Sequence, residues 1–111
     1  MPPLPKSKTL HWTSHSKQKM HFWGLSESRV RRVMHSPARI EEGIAEGTVA
    51  IMQPVTTTGS GSTKKWKQEI WVMVQDKKDK RNVISAWRYP GMTKVGKPLS
   101  PDIVRMFRSL M

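Results

Sequence analysis

KWKQEIWVMVQDKKDKRNVISAWRY, residues 65–89, contains two apolar runs on either side of a short charged segment. The runs at 65–75 and 82–89 are rich in Val, Ile and Trp, the residues that favour β-strands. The KKDKR segment at 77–81 lies between them and suits a hairpin turn. The stretch therefore predicts two antiparallel strands joined by a turn, with Pro90-Gly91 ending the second strand.

Two helices are predicted upstream of this hairpin. Thr13 or Ser14 can cap the first helix, which Gly24 ends in the left-handed conformation that glycine allows. Ser26 can cap the second helix, and Pro37 stops it. The second helix would place its Val and Met residues inward and its arginines on the other faces.

The remaining segments complete the fold prediction. Residues 48–53 (TVAIMQ) are typical of a strand, and 55–63 of a flexible polar loop. Residues 1–10 are expected to form a flexible basic arm, and 100–111 an amphipathic C-terminal helix. The prediction for 1–111 is a single α+β domain, with two N-terminal helices packed on a small antiparallel sheet of three to four strands, plus the C-terminal helix.

Charge is the strongest compositional signal. Twenty Lys and Arg against eight Asp and Glu give a net charge of +12, and the pI is about 10.7. Residues 1–35 hold seven cations and one acid (+6), whereas 36–63 hold one Arg and three Glu (−2). Residues 64–90 hold eight cations and three acids (+5), and 91–111 add +3. Such a field attracts polyanions, although a basic surface that meets an acidic protein partner would have the same composition.

Several protein classes are excluded or disfavoured by composition. The chain has no cysteine, which excludes disulfides and thiolate chemistry. No apolar run approaches the roughly 20 residues of a membrane-spanning helix, and MPPLPKSK lacks the apolar stretch of a secretory signal. No phosphate-binding glycine loop or GxSxG motif occurs. We expect a cytoplasmic protein with no cofactor and no membrane contact.

Strand alternation predicts how the sheet divides its side chains. Ile70, Val72 and Val74 should point to one face and Trp71 and Met73 to the other, because side chains alternate along a strand. On the last strand the same rule groups Ile84 and Ala86 with Arg88, and it groups Val83, Ser85, Trp87 and Tyr89 on the opposite face. If the helices cover the aliphatic face, the aromatic face is left to meet solvent.

Aromatic residues interleaved with cations are typical of single-stranded nucleic-acid binding, where rings stack on bases and cations contact phosphates. Packing of the same tryptophans in a second core layer, or at a dimer contact, is the alternative. The predicted nucleic-acid-binding residues are His11, Arg31, Arg32, Lys64, Lys65, Lys67, Trp71 and Trp87.

A second set of residues suggests metal-independent RNA cleavage. That reaction needs a base for the 2′-hydroxyl, a cation for the phosphorane and an acid for the leaving oxygen. His15 and Lys19 are four residues apart and share a helix face, as an ordinary exposed pair would. The predicted catalytic set is His15, Lys19, Arg88 and Tyr89. A zinc site built from the histidines is disfavoured, because no Cys or closely spaced carboxylate completes it.

Two motifs resemble a known group of proteins. HSKQKMHFWGLSESRVRRVMHSP (15–37) resembles the opening of a bacterial family of small, mostly uncharacterised domains. VISAWRYPG (83–91) resembles the closing strand of those domains and of BrnT-type toxins, which share an I-I-S-A-R-like run. The matching positions are His15, Lys19, Met20, Gly24, Leu25, Ser26, Val30, Val83, Ile84, Ser85 and Ala86, with Arg88 displaced by Trp87.

The resemblance to the BrnT/RelE-like superfamily implies a compact α+β ribonuclease toxin that an antitoxin silences. The predicted function is therefore an RNA-binding, metal-independent endoribonuclease with an acidic antitoxin as partner. The alternatives are a non-catalytic basic module that binds RNA or DNA, and an interaction protein whose basic face meets an acidic partner.

Overall fold

The computed structural model describes residues 9–44, 47–95 and Arg105. The described elements are β1 (Thr9–Trp12), α1 (Ser14–Trp23), α2 (Glu27–His35), β2 (Arg39–Glu42), β3 (Thr48–Val55), a 3-10 turn (Gly61–Thr63), β4 (Gln68–Asp76) and β5 (Lys80–Pro90). The α+β class is confirmed. The helix predicted over 100–111 is not shown, since that segment lies outside the described residues apart from Arg105.

The five strands form one sheet in the order β1-β5-β4-β3-β2. The pairs β2–β3, β3–β4 and β4–β5 are antiparallel, whereas β1 pairs with β5 in parallel. The predicted antiparallel sheet of three to four strands is therefore corrected to a mixed sheet of five. β1 and β2, of four residues each, were not predicted, because so short a segment shows at most two repeats of the alternation; Thr9 and Leu10 of β1 fall within the predicted flexible arm.

Both helices begin and end where their capping residues predict. The Thr13 hydroxyl accepts a hydrogen bond from the Ser16 amide, and the Ser26 hydroxyl accepts one from the Arg29 amide. Gly24 closes α1 with φ +66°, and the Leu25 amide returns to the Met20 carbonyl at 2.8 Å. Local sequence thus sets the helix boundaries.

The helices cover the aliphatic face of the sheet. Ile70, Val72 and Val74 of β4 pack there against α2, as alternation predicts. The described core of this layer comprises Met20, Leu25, Val30, Val33, Met34, Ile51, Ile70, Val72, Val74, Val83 and Ala86. Val83 belongs to this face, contrary to the predicted alternation, because the β4–β5 register shifts between Met73 and Val74. This β-bulge adds a residue to β5, so that Val83 lies on the helix-covered face and Ile84, predicted to share a face with Ala86, packs on the aromatic face instead.

The aromatic face is buried, which corrects the expectation that it meets solvent. Trp71 and Trp87 are 0% and 1% exposed, and their indoles stack with centroids 6.1 Å apart. The Glu69 carboxylate is buried beside them and accepts hydrogen bonds from the indole N–H groups of Trp66 and Trp71 and from the amide and hydroxyl of Thr93. The tryptophans therefore form a second core layer, the alternative that the sequence left open.

Arg39 extends this network at the far side of the sheet. Its guanidinium donates to the Thr93 carbonyl and hydroxyl, pairs with Glu41 at 3.1 Å, and lies 5.1 Å from the Trp71 ring centroid. Hydrogen bonds from Arg39 and to Glu69 therefore hold Thr93, which follows β5, against the aromatic face. Polar contacts as well as apolar packing hold this second layer together.

The connection between β3 and β4 begins later than predicted. β3 continues through Pro54 to Val55. Proline has no backbone N–H to donate, and β2 pairs only with Val49–Met52, so no strand on the β2 side requires a donor at position 54. The exposed loop that follows contains a bridge between Thr58 and Lys65, whose amides and carbonyls exchange two hydrogen bonds of 2.8 Å.

Candidate nucleic-acid interface

One end of the sheet, here called the loop end, is where β3 ends, β4 begins and β5 ends. On its helix-covered face Gln53, Ile70 and Arg88 form a row across these three strands. Neighbouring strands are about 4.8 Å apart, so Gln53 and Arg88 flank Ile70 at a backbone separation of about 10 Å. This row is the floor of the candidate site.

Helix α2 places arginines above this row because its first turn reaches the loop end. Arg29 donates through Nη1 to the Gln53 side-chain oxygen, and the Gln53 amide group donates in turn to the carbonyls of Arg32 and Ser36. The glutamine thus ties the helix to β3 and holds the Arg29 guanidinium over the sheet. Arg32 lies one turn further along and is exposed.

Arg88 reaches the same region from β5. Its Nε donates to the Trp23 carbonyl at 2.8 Å, and Nη1 donates to the Gln68 side-chain oxygen at 2.9 Å. A helix carbonyl and a neutral amide therefore orient this guanidinium. Alternation grouped Arg88 with Ala86, and the structure places it on that face, half-buried near the end of β5.

Arg29, Arg32 and Arg88 are named here the arginine cluster. Within residues 9–44 and 47–95, no carboxylate makes an ion pair with any of the three. Burial, followed by the nearby Arg32 and Arg88 guanidiniums, lowers the pKa of Arg29. Cations held together by uncharged groups repel one another, and an oxyanion bound between them would relieve that repulsion.

Helix α1 adds a second cationic feature beside the cluster. His15, Lys19 and Phe22 follow one another along one face of the helix, as their spacing predicts. Burial and the Lys19 ammonium lower the pKa of His15, which favours the neutral imidazole. However, Arg88 contacts the last residue of α1, eight positions after His15 and about 12 Å further along the helix axis.

The predicted catalytic residues are not brought together around one point. Arg88 lies opposite Ile70 on the helix-covered face, whereas Tyr89 lies opposite Glu69 on the aromatic face. Consecutive residues of a strand point to opposite sides, so the sheet separates these two side chains. His15 shares a helix face with Lys19 but lies about two turns before Trp23, whose carbonyl Arg88 contacts, whereas Lys19 lies about one turn before it.

The predicted nucleic-acid-binding residues divide into accessible and inaccessible groups. Trp71 and Trp87 are buried and offer no ring face to a base in this structure. Arg31 is exposed, with its guanidinium 5.5 Å from the Trp12 ring centroid. The exposed side chains also include His11 on β1, Arg32 on α2, and Lys64, Lys65 and Lys67 in the loop before β4. These three lysines extend the positive charge of the loop end.

Two residues of this surface were missed by the sequence predictions. Arg29 comes close to Arg88 only through the fold, since 59 positions separate them, and no sequence pattern links them. Phe22 carried a usable signal: it stands three positions after Lys19 and seven after His15, which places it on the same helix face. In the structure the Lys19 ammonium lies 5.7 Å from the Phe22 ring centroid.

Searches for two other kinds of feature were negative for the described chain. Among residues 9–44, 47–95 and 105, no three His, Asp or Glu side chains are grouped closely enough to hold a metal ion. Over the same ranges, neither helix has the length and apolar character needed to cross a membrane.

Comparison of the chain with protein-family models, curated proteins and solved structures found no match. The BrnT/RelE-like family is therefore a prediction that rests on the two sequence motifs.

Proposed function

We propose that this protein binds RNA through the arginine cluster and the adjacent lysines. The observation that carries the proposal is a group of three arginines near one another, of which glutamines and a backbone carbonyl orient Arg29 and Arg88, and none of which has an ion-pair partner among the described residues. Guanidinium groups bind phosphate oxygens in a bidentate manner and keep their charge throughout the physiological pH range. The proposal corresponds to the non-catalytic alternative considered from the sequence.

The overall charge supports the same proposal. A net charge of +12 creates a long-range field that accelerates the approach of a polyanion. Lys64, Lys65 and Lys67 lie in the loop next to β4 and would contact phosphates beyond the cluster. Each phosphate contact on a single strand contributes about −0.7 to the slope of log K against log salt concentration.

The test compares two double variants that remove equal charge from opposite ends of the sheet. R29Q/R88Q neutralises two members of the cluster, and K78Q/K80Q neutralises two exposed lysines at the β4–β5 turn. Fluorescence anisotropy with a labelled oligoribonucleotide gives Kd at several salt concentrations, and circular dichroism checks folding. R29Q/R88Q should weaken binding about 25-fold at 0.1 M salt and reduce the slope by about 1.4, the value for two lost contacts.

The control variant should bind nearly as the wild type does, because its charges lie at the other end of the sheet. A wild-type slope near zero would refute RNA binding. Equal weakening by both double variants would show that net charge, rather than the arginine cluster, drives association.

A metal-independent ribonuclease is the second candidate, and the lowered pKa of His15 favours it. A neutral imidazole at pH 7 can accept the proton of a 2′-hydroxyl group. The same RNA incubated with protein in EDTA and separated on a denaturing gel tests this activity. Cleavage by the wild type that His15→Ala abolishes would support a ribonuclease. Intact RNA would refute this activity and leave RNA binding as the proposed function. An acidic antitoxin would compete with RNA for the arginine cluster.

A further inference from the structure

Phe22 is a large apolar side chain left in solvent, one position before the residue whose carbonyl Arg88 contacts. It is 71% exposed on the last turn of α1, although the neighbouring core accommodates Met20 and half-buries Trp23. Burying a phenylalanine side chain is ordinarily favourable, so its position on the surface forgoes stabilisation. The other exposed large apolar residues in the described chain, Met92 and Val95, lie beyond β5.

Neighbouring side chains hold the Phe22 ring in place. The Trp23 ring packs against it edge-on, with centroids 4.9 Å apart and planes at 88°. The Lys19 ammonium lies 5.7 Å from the Phe22 centroid, within the range of a cation–π interaction. An ordered ring loses less conformational entropy on binding a planar partner than a mobile one does.

Phe22 directly precedes the residue that Arg88 contacts. Arg88 donates to the carbonyl of Trp23, which directly follows Phe22 in the chain, and consecutive Cα atoms are 3.8 Å apart. Lys19 adds a second cation, whose ammonium lies 5.7 Å from the ring centroid. One exposed aromatic ring is therefore combined with cations from α1 and β5.

We infer that the RNA is bound as a single strand, with one base stacked on Phe22 while the arginine cluster contacts the backbone phosphates. This inference rests on the proposed RNA binding. An unpaired base can turn its flat face to an aromatic side chain, whereas bases in a duplex are already stacked on one another. Phe22 thus takes the role that the sequence assigned to the two buried tryptophans.

The experiment measures Kd by anisotropy for a single-stranded oligoribonucleotide, an abasic strand of the same length, an RNA duplex and the equivalent single-stranded DNA. Phe22→Ala is compared with Phe22→Tyr, which keeps a ring, and with Met92→Ala, which removes another exposed apolar side chain. Phe22→Ala should weaken binding of the normal strand about tenfold, the size of one base–aromatic stack, and leave binding of the abasic strand unchanged. Phe22→Tyr and Met92→Ala should bind as the wild type does.

The outcomes separate this inference from the proposal beneath it. If the wild type binds none of the nucleic acids, the proposed function itself fails. If it binds the normal and abasic strands equally and Phe22→Ala changes neither, RNA binding stands and the stacking inference is overturned. Tighter binding of the duplex than of the single strand would also overturn it. Equal binding of DNA and RNA would overturn the assignment to RNA and leave the stacking intact.

Discussion

The two ends of strand β5 treat an arginine in opposite ways. At the turn end Arg81 is 4% exposed and lies directly opposite Asp76, to which it donates two hydrogen bonds of 2.6 and 3.0 Å. At the loop end Arg88 is oriented by a carbonyl and a glutamine, and the neighbouring Arg29 by another glutamine. One guanidinium is paired with a carboxylate, whereas the other two have no carboxylate partner among residues 9–44 and 47–95.

This difference indicates which arginine is structural and which is available to a ligand. A bidentate carboxylate uses the planar fork of Arg81 and cancels its charge locally. Glutamine oxygens orient Arg29 and Arg88 without cancelling theirs, and they leave further N–H groups to donate. A carboxylate does exist at the loop end, but Glu69 lies on the other face of the sheet and accepts from Trp66, Trp71 and Thr93.

The largest effect is expected from Glu69→Gln, which tests whether that carboxylate is committed to the aromatic layer. Each Glu69 oxygen accepts two hydrogen bonds, one of them from an indole, so an amide NH₂ in either position leaves at least one indole N–H without its acceptor. The free energy of unfolding, measured with urea, should fall by about 3 kcal/mol. Glu42→Gln, at an exposed position of β2, is the matched control and should change it by less than about 0.5 kcal/mol.

A smaller loss is expected from Arg81→Met, which removes the ion pair at the turn end but keeps an apolar stem in the buried site. Loss of the two charge-assisted hydrogen bonds should lower the free energy of unfolding by about 2 kcal/mol, with RNA affinity unchanged. Lys78→Met, at an exposed position of the same turn, controls for the lost charge.

Arg88→Met should lower the free energy of unfolding by less than about 1 kcal/mol, because relief of repulsion with Arg29 offsets its lost hydrogen bonds. The reverse order of stability for Arg81→Met and Arg88→Met would contradict the comparison.

The smallest expected effect is the pH dependence of stability that His15 contributes, which tests how far the positive charge of Lys19 acts along α1. The pKa of His15 is lowered by burial and then by Lys19, so the folded state binds fewer protons than the unfolded state does. The stability contributed by the neutral imidazole is present above the unfolded pKa of about 6.5 and is lost as pH falls through the lower folded pKa. Urea unfolding at pH 7.5 and at pH 5 should show a smaller stability loss for His15→Gln than for the wild type. Lys19→Met should remove part of the same dependence; an unchanged profile in both variants would contradict this assignment.

Local sequence rules were sufficient for the helices and for one strand. Thr13 and Ser26 cap the helices as predicted, and Gly24 ends the first because glycine adopts positive φ without strain. Alternation assigned the residues of β4 to the correct faces, with aliphatic side chains under the helices and Trp71 on the other side. These features depend on neighbours only a few positions away.

Features that depend on distant parts of the chain were not predictable. The bulge between β4 and β5 moves Val83 to the helix-covered face, and nothing in the strand's own composition marks that register shift. Burial of Trp71 and Trp87 also contradicts the expected exposed face, because alternation gives the direction of a side chain and not what covers it. Parallel pairing of β1 requires the chain to pass through both helices before it meets β5 in the sheet.

The sequence by itself determined the α+β class, the helix boundaries, the aliphatic face and the large positive charge, since each follows from composition or from contacts within a few residues. Tertiary structure alone decided which cations are neutralised. Asp76 faces Arg81 across a hairpin, whereas Arg29 and Arg88 meet only after a helix docks on the sheet. The physical reason is that charge compensation depends on distances of a few ångströms between atoms, and the fold sets those distances for residues far apart in the chain.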